Sequence, residues 1–242
     1  MRTVTAICLL CLCTNALGAV YTHSDDFSTD TTSNYEFTYY PTQGSMGATC
    51  QLMYEAINSR VVLYANGGYG WTLMRDKSAS PIPTTDNFQF SCDLFVLQVQ
   101  DNVGALYLGD LYSSVPYNLS PSSRGITFAL DTSAQSFYVQ QWDGALCPVL
   151  SRVAYGSNNV TLKIERYEGL YKFYANNNLF WESTLDFLNG VSLYYGAQNH
   201  IGSGPRGYIS ETAVDNWNFS SVPEPATLFL LTLGGLALRR RK

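Results

Sequence analysis

Val160-Thr161-Leu162-Lys163-Ile164-Glu165-Arg166 alternates apolar and polar side chains one for one. That is the period of a half-buried β-strand. Glu168-Gly169 interrupts it, Leu170 to Ala175 resumes, Asn176-Asn177-Asn178 interrupts again, and Leu179 to Ser183 forms a third short run. Gly and Asn tolerate the backbone angles of tight hairpin turns, so three runs separated by two such breaks predict an antiparallel three-stranded meander.

The same grammar extends over the rest of the chain. Strands are predicted at 35–40, 60–65, 88–99, 105–111, 125–130, 135–141, 191–196 and 213–219, and residues 51–58 fit a short helix or a further strand. Breaks fall at Asn66-Gly67-Gly68, Ser80-Pro81-Ile82-Pro83, Pro121-Ser122-Ser123, Cys147-Pro148 and Gly202-Ser203-Gly204-Pro205. Tyr, Thr, Ser, Asn and Gly are abundant, and Lys/Glu/Ala runs at helical spacing are missing. This balance favours strands and turns. With no βαβ pattern and no internal repeat, the expected class is all-β, a two-sheet antiparallel sandwich.

The two ends differ from this body. Arg2, an apolar stretch from Val4 to Leu12 and Asn15-Ala16-Leu17-Gly18-Ala19 have the layout of a secretory signal peptide, with cleavage expected after Gly18 or Ala19. Leu9-Leu10-Cys11 lacks the small residue that should precede a lipidated Cys. At the other end Val222-Pro223-Glu224-Pro225 precedes an apolar run over 226–238 and then Arg239, Arg240, Arg241 and Lys242. At ~1.5 Å per helical residue this run reaches about 20 Å, short of the roughly 30 Å hydrocarbon layer. It is a marginal span, suited to transient membrane insertion, with the basic end held on the cytoplasmic side. The prolines leave an extended, accessible strip outside the membrane.

Without Arg2 and the four terminal basic residues, 14 Lys+Arg become 9 against 19 Asp+Glu, a net charge near −10. Such an acidic body is not a nucleic-acid binder. Cys8, Cys11 and Cys13 lie in the signal; Cys50, Cys92 and Cys147 remain, enough for one disulfide whose pairing the sequence leaves open, and their wide spacing is not that of a zinc site. Three glycosylation sequons, beginning at Asn118, Asn159 and Asn218, are read as chance matches.

Residues 221–242 resemble the bacterial PEP-CTERM sorting signal in carrying a Pro-Glu-Pro motif, a short transmembrane segment and an Arg-rich end in that order. The resemblance implies a Gram-negative exported protein, an exosortase and the secretion machinery as partners, and delivery to the cell surface or an exopolysaccharide matrix. The body, 20–220, resembles the concanavalin A-like lectin/glucanase superfamily with its laminin-G-like jelly rolls. The likeness rests on Asp25-Asp26-Phe27, the 160–176 meander and Val214-Asp215-Asn216-Trp217. It implies that first and last strands lie side by side, so that Asp26 (or Asp25) and Asp215, with Glu211 or carbonyls, would hold a structural Ca²⁺. The alternative is that Asp26 and Asp215 cap turns.

Superfamily hydrolases need paired carboxylates about 5–5.5 Å apart in the retaining case. Glu165 and Glu168 are the tempting pair, but their spacing directs them to opposite faces, and Glu168 falls in a turn. The Glu-x-Asp-x-x-Glu pattern of the laminarinase-like enzymes, His-Glu-x-x-His and Gly-x-Ser-x-Gly are all missing. His200 is read as part of a surface loop. Aromatic rings are plentiful, with 18 Tyr, 12 Phe and 4 Trp, and most should pack in the core. A sugar site, where present, is placed at Trp142, Asp143 and Tyr194 or Tyr195. The reading is a non-catalytic, glycan-binding or structural surface protein; the alternative is a glycan-active hydrolase with carboxylates from distant strands.

Overall fold

The structure is a computed structural model, and it describes residues 21–41, 49–67, 70–82, 86–97, 103–110, 124–143, 148–201 and 209–222. In chain order the strands are β1 (Tyr21–Asp25), β2 (Tyr35–Pro41), β3 (Thr49–Glu55), β4 (Arg60–Asn66), β5 (Gly70–Asp76), β6 (Asn87–Val96), β7 (Val103–Gly109) and β8 (Arg124–Asp131). They continue with β9 (Ser136–Asp143), β10 (Val149–Ala154), β11 (Asn159–Tyr167), β12 (Leu170–Ala175), β13 (Asn178–Ser183), β14 (Tyr194–Ile201) and β15 (Ile209–Val222). The only helical pieces among the described residues are two 3-10 turns, at Thr32–Asn34 and Asp186–Leu188.

The strands form two antiparallel sheets. One runs β13-β12-β11-β6-β15-β4-β3, with β1 paired to β15 off that path; the other runs β10-β9-β8-β7-β14-β5-β2. The predicted meander is the edge of the first sheet, with Lys163 opposite Tyr174 and Lys172 opposite Glu182. Its turns use the backbone freedom foreseen for them. Glu168 and Gly169 both have positive φ (51° and 81°), as do Asn176 and Asn177 (48° and 63°), which is what two-residue turns matching strand twist demand.

Burial differs between the sheets. In the first, alternate residues such as Val160, Leu162 and Ile164 are buried and their neighbours half-exposed. One face meets the core and the other meets water. The middle of the second is buried on both faces, so all of β7 (Val-Gly-Ala-Leu-Tyr-Leu-Gly) is buried and no alternation survives in its sequence. Between the sheets the core is heavily aromatic. Tyr195 stacks on Phe219 with ring centroids 4.0 Å apart, and Trp217 meets Phe90 at 4.9 Å.

A small polar group centred on Asn199 is built into this core. Asn199 on β14 is fully buried, and its amide donates to the carbonyls of Leu63 and Ser210 at 3.1 and 3.2 Å. Its oxygen accepts from the Ser210 and Thr212 hydroxyls at 2.8 and 3.0 Å. A buried amide with both ends satisfied fixes the register of one sheet over the other.

Several sequence expectations change here. Of the two readings open for residues 51–58, the strand is the one found, as β3 and its following turn. The segment after Gly67-Gly68 is β5, and β10 follows Cys147-Pro148; neither was read as a strand. Cys50 and Cys92 are free thiols, on β3 and buried on β6, with burial pushing Cys50 up to about 11; Cys147 lies outside the described residues.

Candidate functional site

Three places on this frame carry polar chemistry. At the first, β1 is inserted at the edge of the sandwich. Tyr21, His23 and Asp25 alternate with the exposed Thr22 and Ser24, so the three share one face and reach toward the second sheet. The Tyr21 hydroxyl donates to Asp76 Oδ2 at 2.7 Å, and His23 Nδ1 lies 2.5 Å from the same oxygen. Ser78 donates to Asp76 Oδ1 from both its backbone N–H and its hydroxyl, each at 2.7 Å. Asp25 accepts from the Phe27 N–H at 2.8 Å, the Thr31 hydroxyl at 2.6 Å and the Tyr35 hydroxyl at 3.0 Å.

The electrostatics follow from burial. Burial drives the Tyr35 and Tyr195 phenols far above their ordinary range, reinforced by Asp25 for the first and Tyr21 for the second. Asp76 is 2 % exposed. Burial alone would raise its carboxyl, yet the bonds from Tyr21 and Ser78 and the neighbouring His23 outweigh it and hold the carboxyl below the usual range. These contacts run from β1 to β5 and β2, so the cluster fastens the first strand to the opposite sheet. Neither His23 nor Asp76 was singled out from sequence, because 53 residues separate them and neither stands in a motif.

The second place is where β1 meets β15. Asp25 pairs with Trp217, and a bulge between Asp215 and Asn218 holds Asn216 at φ 49°. Ser24, Asp25, Asp26, Asn216, Trp217 and Asn218 line a polar cleft of about 350 Å³. First and last strands are indeed neighbours, and Asp26 comes close enough to affect Asp215. Burial first, then the charges of Asp93 and Asp26, raise the Asp215 carboxyl. Yet Asp26 accepts from the Ser28 N–H at 3.0 Å and Asp215 from the Asn216 N–H at 2.7 Å, which is turn capping. Glu211 lies four residues back along β15, about 13 Å away in an extended strand, and it cannot share a shell with Asp215. Among the described residues no three His, Cys, Asp or Glu side chains gather as a metal site. The residues present do not fit a calcium shell.

The third is the outer face of the second sheet. Here the structure corrects two candidates for sugar contact. Trp142 is 5 % exposed, its ring edge-on to Trp71 at 6.2 Å and its Nε1 donating to Thr127 Oγ1 at 2.8 Å. Tyr195 points inward and is 2 % exposed in the aromatic core. Both rings are packing residues with no face for a sugar. Asp143 and Tyr194 stay on the surface, Asp143 with Arg124 at 3.6 Å and Tyr194 with the Arg75 guanidinium 5.7 Å from its ring centroid. Trp142, Gly125, Gly109 and Tyr194 occupy one row across β9, β8, β7 and β14. The glycine floor of that row accommodates Tyr107, whose hydroxyl would lie 2.4 Å from a Cβ at Gly109 and donates to the Asp110 carbonyl at 2.6 Å.

His200 is also corrected. It belongs to β14 rather than a surface loop, its ring 4.6 Å from Trp71. Glu165 stands on the outer face of β11 opposite Lys172, and Glu168 sits in the β11–β12 turn, so they do not face one another.

The last described strand leads directly into the C-terminal signal. Residues 221–242 match the model of the PEP-CTERM protein-sorting motif. The chain carries a PEP-CTERM sorting signal. The signal implies processing by an exosortase and export across the membrane to the cell surface. Its first two residues, Ser221 and Val222, are still paired in β15. Pro223, Glu224, Pro225, the 226–238 run and Arg239, Arg240 and Arg241 lie outside the described residues, as do residues 1–19, where a signal peptide is expected. Among the described residues no helix is long and apolar enough to cross a membrane.

No curated protein sequence matches this chain. Solved structures do match in three dimensions. A Bacillus subtilis protein of unknown function with a galectin-like fold is 11% identical and aligns over 86% of this chain and 99% of its own, with a TM-score of 0.57. A Bacillus licheniformis β-glucanase is 11% identical over 82% and 97%, TM-score 0.56. The carbohydrate recognition domain of Emp47p is 13% identical over 84% and 95%, TM-score 0.56. At such identities the likeness establishes the fold, a jelly-roll sandwich of the galectin and concanavalin A kind.

Proposed function

We propose that this is an exosortase-processed protein of a Gram-negative cell surface or exopolysaccharide matrix, whose sandwich binds glycan without cleaving it or contributes structurally. The observation that carries the reading is the direct continuation of β15 into the PEP-CTERM signal. The last strand of the folded body supplies the signal's first two residues, Ser221 and Val222, so the cargo of the signal is this jelly roll. Glycan is the favoured ligand because neighbours of the same fold include a carbohydrate recognition domain and a β-glucanase. The half-exposed Tyr194, on the outer face of the second sheet, is the proposed contact, since a phenol face can stack on a sugar ring. Asp143 follows Trp142 of the same row and so points to the opposite face, three strands away.

Several carboxylates are placed for binding rather than hydrolysis, while Asp93 and Asp215, directly opposite each other on β6 and β15, are the pair that a reducing-end assay tests. Asp76 and Asp25 are committed to donors within the β1 cluster, and Glu165 faces away from Glu168. The experiment is to incubate the purified domain with a panel of bacterial polysaccharides. Retention without new reducing ends is expected, while release of reducing ends would show a hydrolase and refute the proposal. Tyr194→Ala should weaken retention about ten-fold, the factor set by losing roughly 1.4 kcal/mol of stacking.

A further inference from the structure

The sorting signal begins inside a strand that is bonded along both edges. From Trp217 to Ser221, β15 pairs with β1 on one side, in the register Asp25–Trp217 to Tyr21–Ser221. From Asn218 to Val222 it pairs with β6 on the other, ending at Val222 opposite Asn87. A peptidase embraces several residues on each side of the scissile bond as an extended segment, using backbone groups that such a segment leaves free. Ser220 and Ser221 have none to offer while both ladders are closed. Val222 has one ladder partner of its own.

The spacing to the membrane tightens the constraint. Only Pro223, Glu224 and Pro225 separate β15 from the apolar run, and three residues span at most about 10 Å. That is little more than the polar headgroup layer on one side of a bilayer. With the apolar run inserted, the closed sandwich would stand against the headgroups, in the space the processing enzyme has to enter. The mature N-terminus stands in the same place, because Tyr21 is the register partner of Ser221.

Given the processing reading above, on which this rests, we infer that the tail is excised from a state in which the end of β15 is undocked from β1 and β6. The strand is graded for this. Phe219 is 1 % exposed and stacks on Tyr195 at 4.0 Å, with Tyr21 at 5.7 Å and Phe88 at 6.2 Å. It is the anchor at which peeling stops. Beyond it come Ser220 and Ser221, which add little apolar grip and have low strand propensity. Peeling the 220–222 end lengthens the free segment to six residues, about 20 Å when extended, without opening the aromatic core. The closing seam of the sandwich thereby sets the rate at which the protein leaves the membrane.

The test measures tail removal by pulse–chase and mass shift in an exosortase-bearing host, with four forms of the full chain. They are wild type, a ten-residue Gly/Ser linker inserted between Val222 and Pro223, Ser220→Val, and Ser220→Val with the linker. The linker leaves every described contact in place and should speed removal roughly ten-fold, the factor that about 1.4 kcal/mol of local opening sets. Ser220→Val strengthens the ladder and should slow removal, and the linker should abolish that slowing. Equal rates in all four would overturn the inference while leaving processing intact. Retention of the tail in all four would overturn the processing reading and the inference with it.

Discussion

Asp76→Ala removes the acceptor that ties β1 to the second sheet, and the structure sets how much that should cost. Four contacts end on this carboxylate: the Tyr21 hydroxyl, two groups of Ser78, and His23. Ser78 is exposed, so its N–H and hydroxyl regain water and contribute little. The Tyr21 bond to a buried anion is worth about 1.5–3 kcal/mol. His23 is 22 % exposed and adds at most about 1 kcal/mol after solvent screening. Loss of the carboxylate's own burial penalty offsets part of this, so the expected destabilisation is roughly 2–3 kcal/mol. For a domain of this size that lowers Tm by about 4–12 °C. A double-mutant cycle with Tyr21→Phe, followed by thermal melts, should return a coupling of about 1.5–3 kcal/mol. Hydrogen exchange should quicken in residues 21–25 before it does in the aromatic core. A shift below about 1 °C, or additive single effects, would refute the fastening role assigned to Asp76.

Acid should act through the same residue. The folded Asp76 carboxyl is depressed below its unfolded value, so its contribution is present above the unfolded value near pH ~3.9 and is lost as pH falls through the folded one. Melting curves between about pH 5 and 2 should show a drop that is smaller in Asp76→Ala, and parallel curves would contradict the assignment. Gly109→Ala would put a Cβ 2.6 Å from the Arg124 carbonyl and 2.6 Å from the Gly125 Cα. Overpacking against backbone should cost about 1–3 kcal/mol in chemical denaturation, whereas Gly156→Ala, with nothing within 4 Å, should be neutral. Because Asp26 and Asp215 cap turns, a chelator should leave Tm unchanged, and a clear fall would restore calcium to that edge.

What the sequence made legible was what local pattern encodes. The 160–183 meander was readable because each strand has one wet face and its turns are Glu-Gly and Asn-Asn. The signal at 222–241 was readable because its three parts are contiguous. Strand β7 shows the limit: buried on both faces, it has no alternation to read, and both its ends lie two residues before the predicted 105–111. β5 was hidden behind a glycine turn, and β10, an edge strand with exposed Val149 and Val153, carries little apolar signal. The sugar candidates divided for the same reason. Tyr194 and Tyr195 are adjacent and therefore point to opposite faces, but which face is the core depends on the sheet laid over them. The His23–Asp76 contact is wholly tertiary, made by strands at opposite ends of a long stretch of chain.

Delivery of the jelly roll outside the cell and trimming at its sorting signal together fix the mass of the mature protein. Intact-mass measurement of the protein recovered from the surface fraction of its native host addresses this most directly. The predicted species begins at Ala19 or Val20, retains β15 through Val222, and lacks the 226–242 tail. A folded cytosolic species that still carries Arg239, Arg240, Arg241 and Lys242 would contradict it.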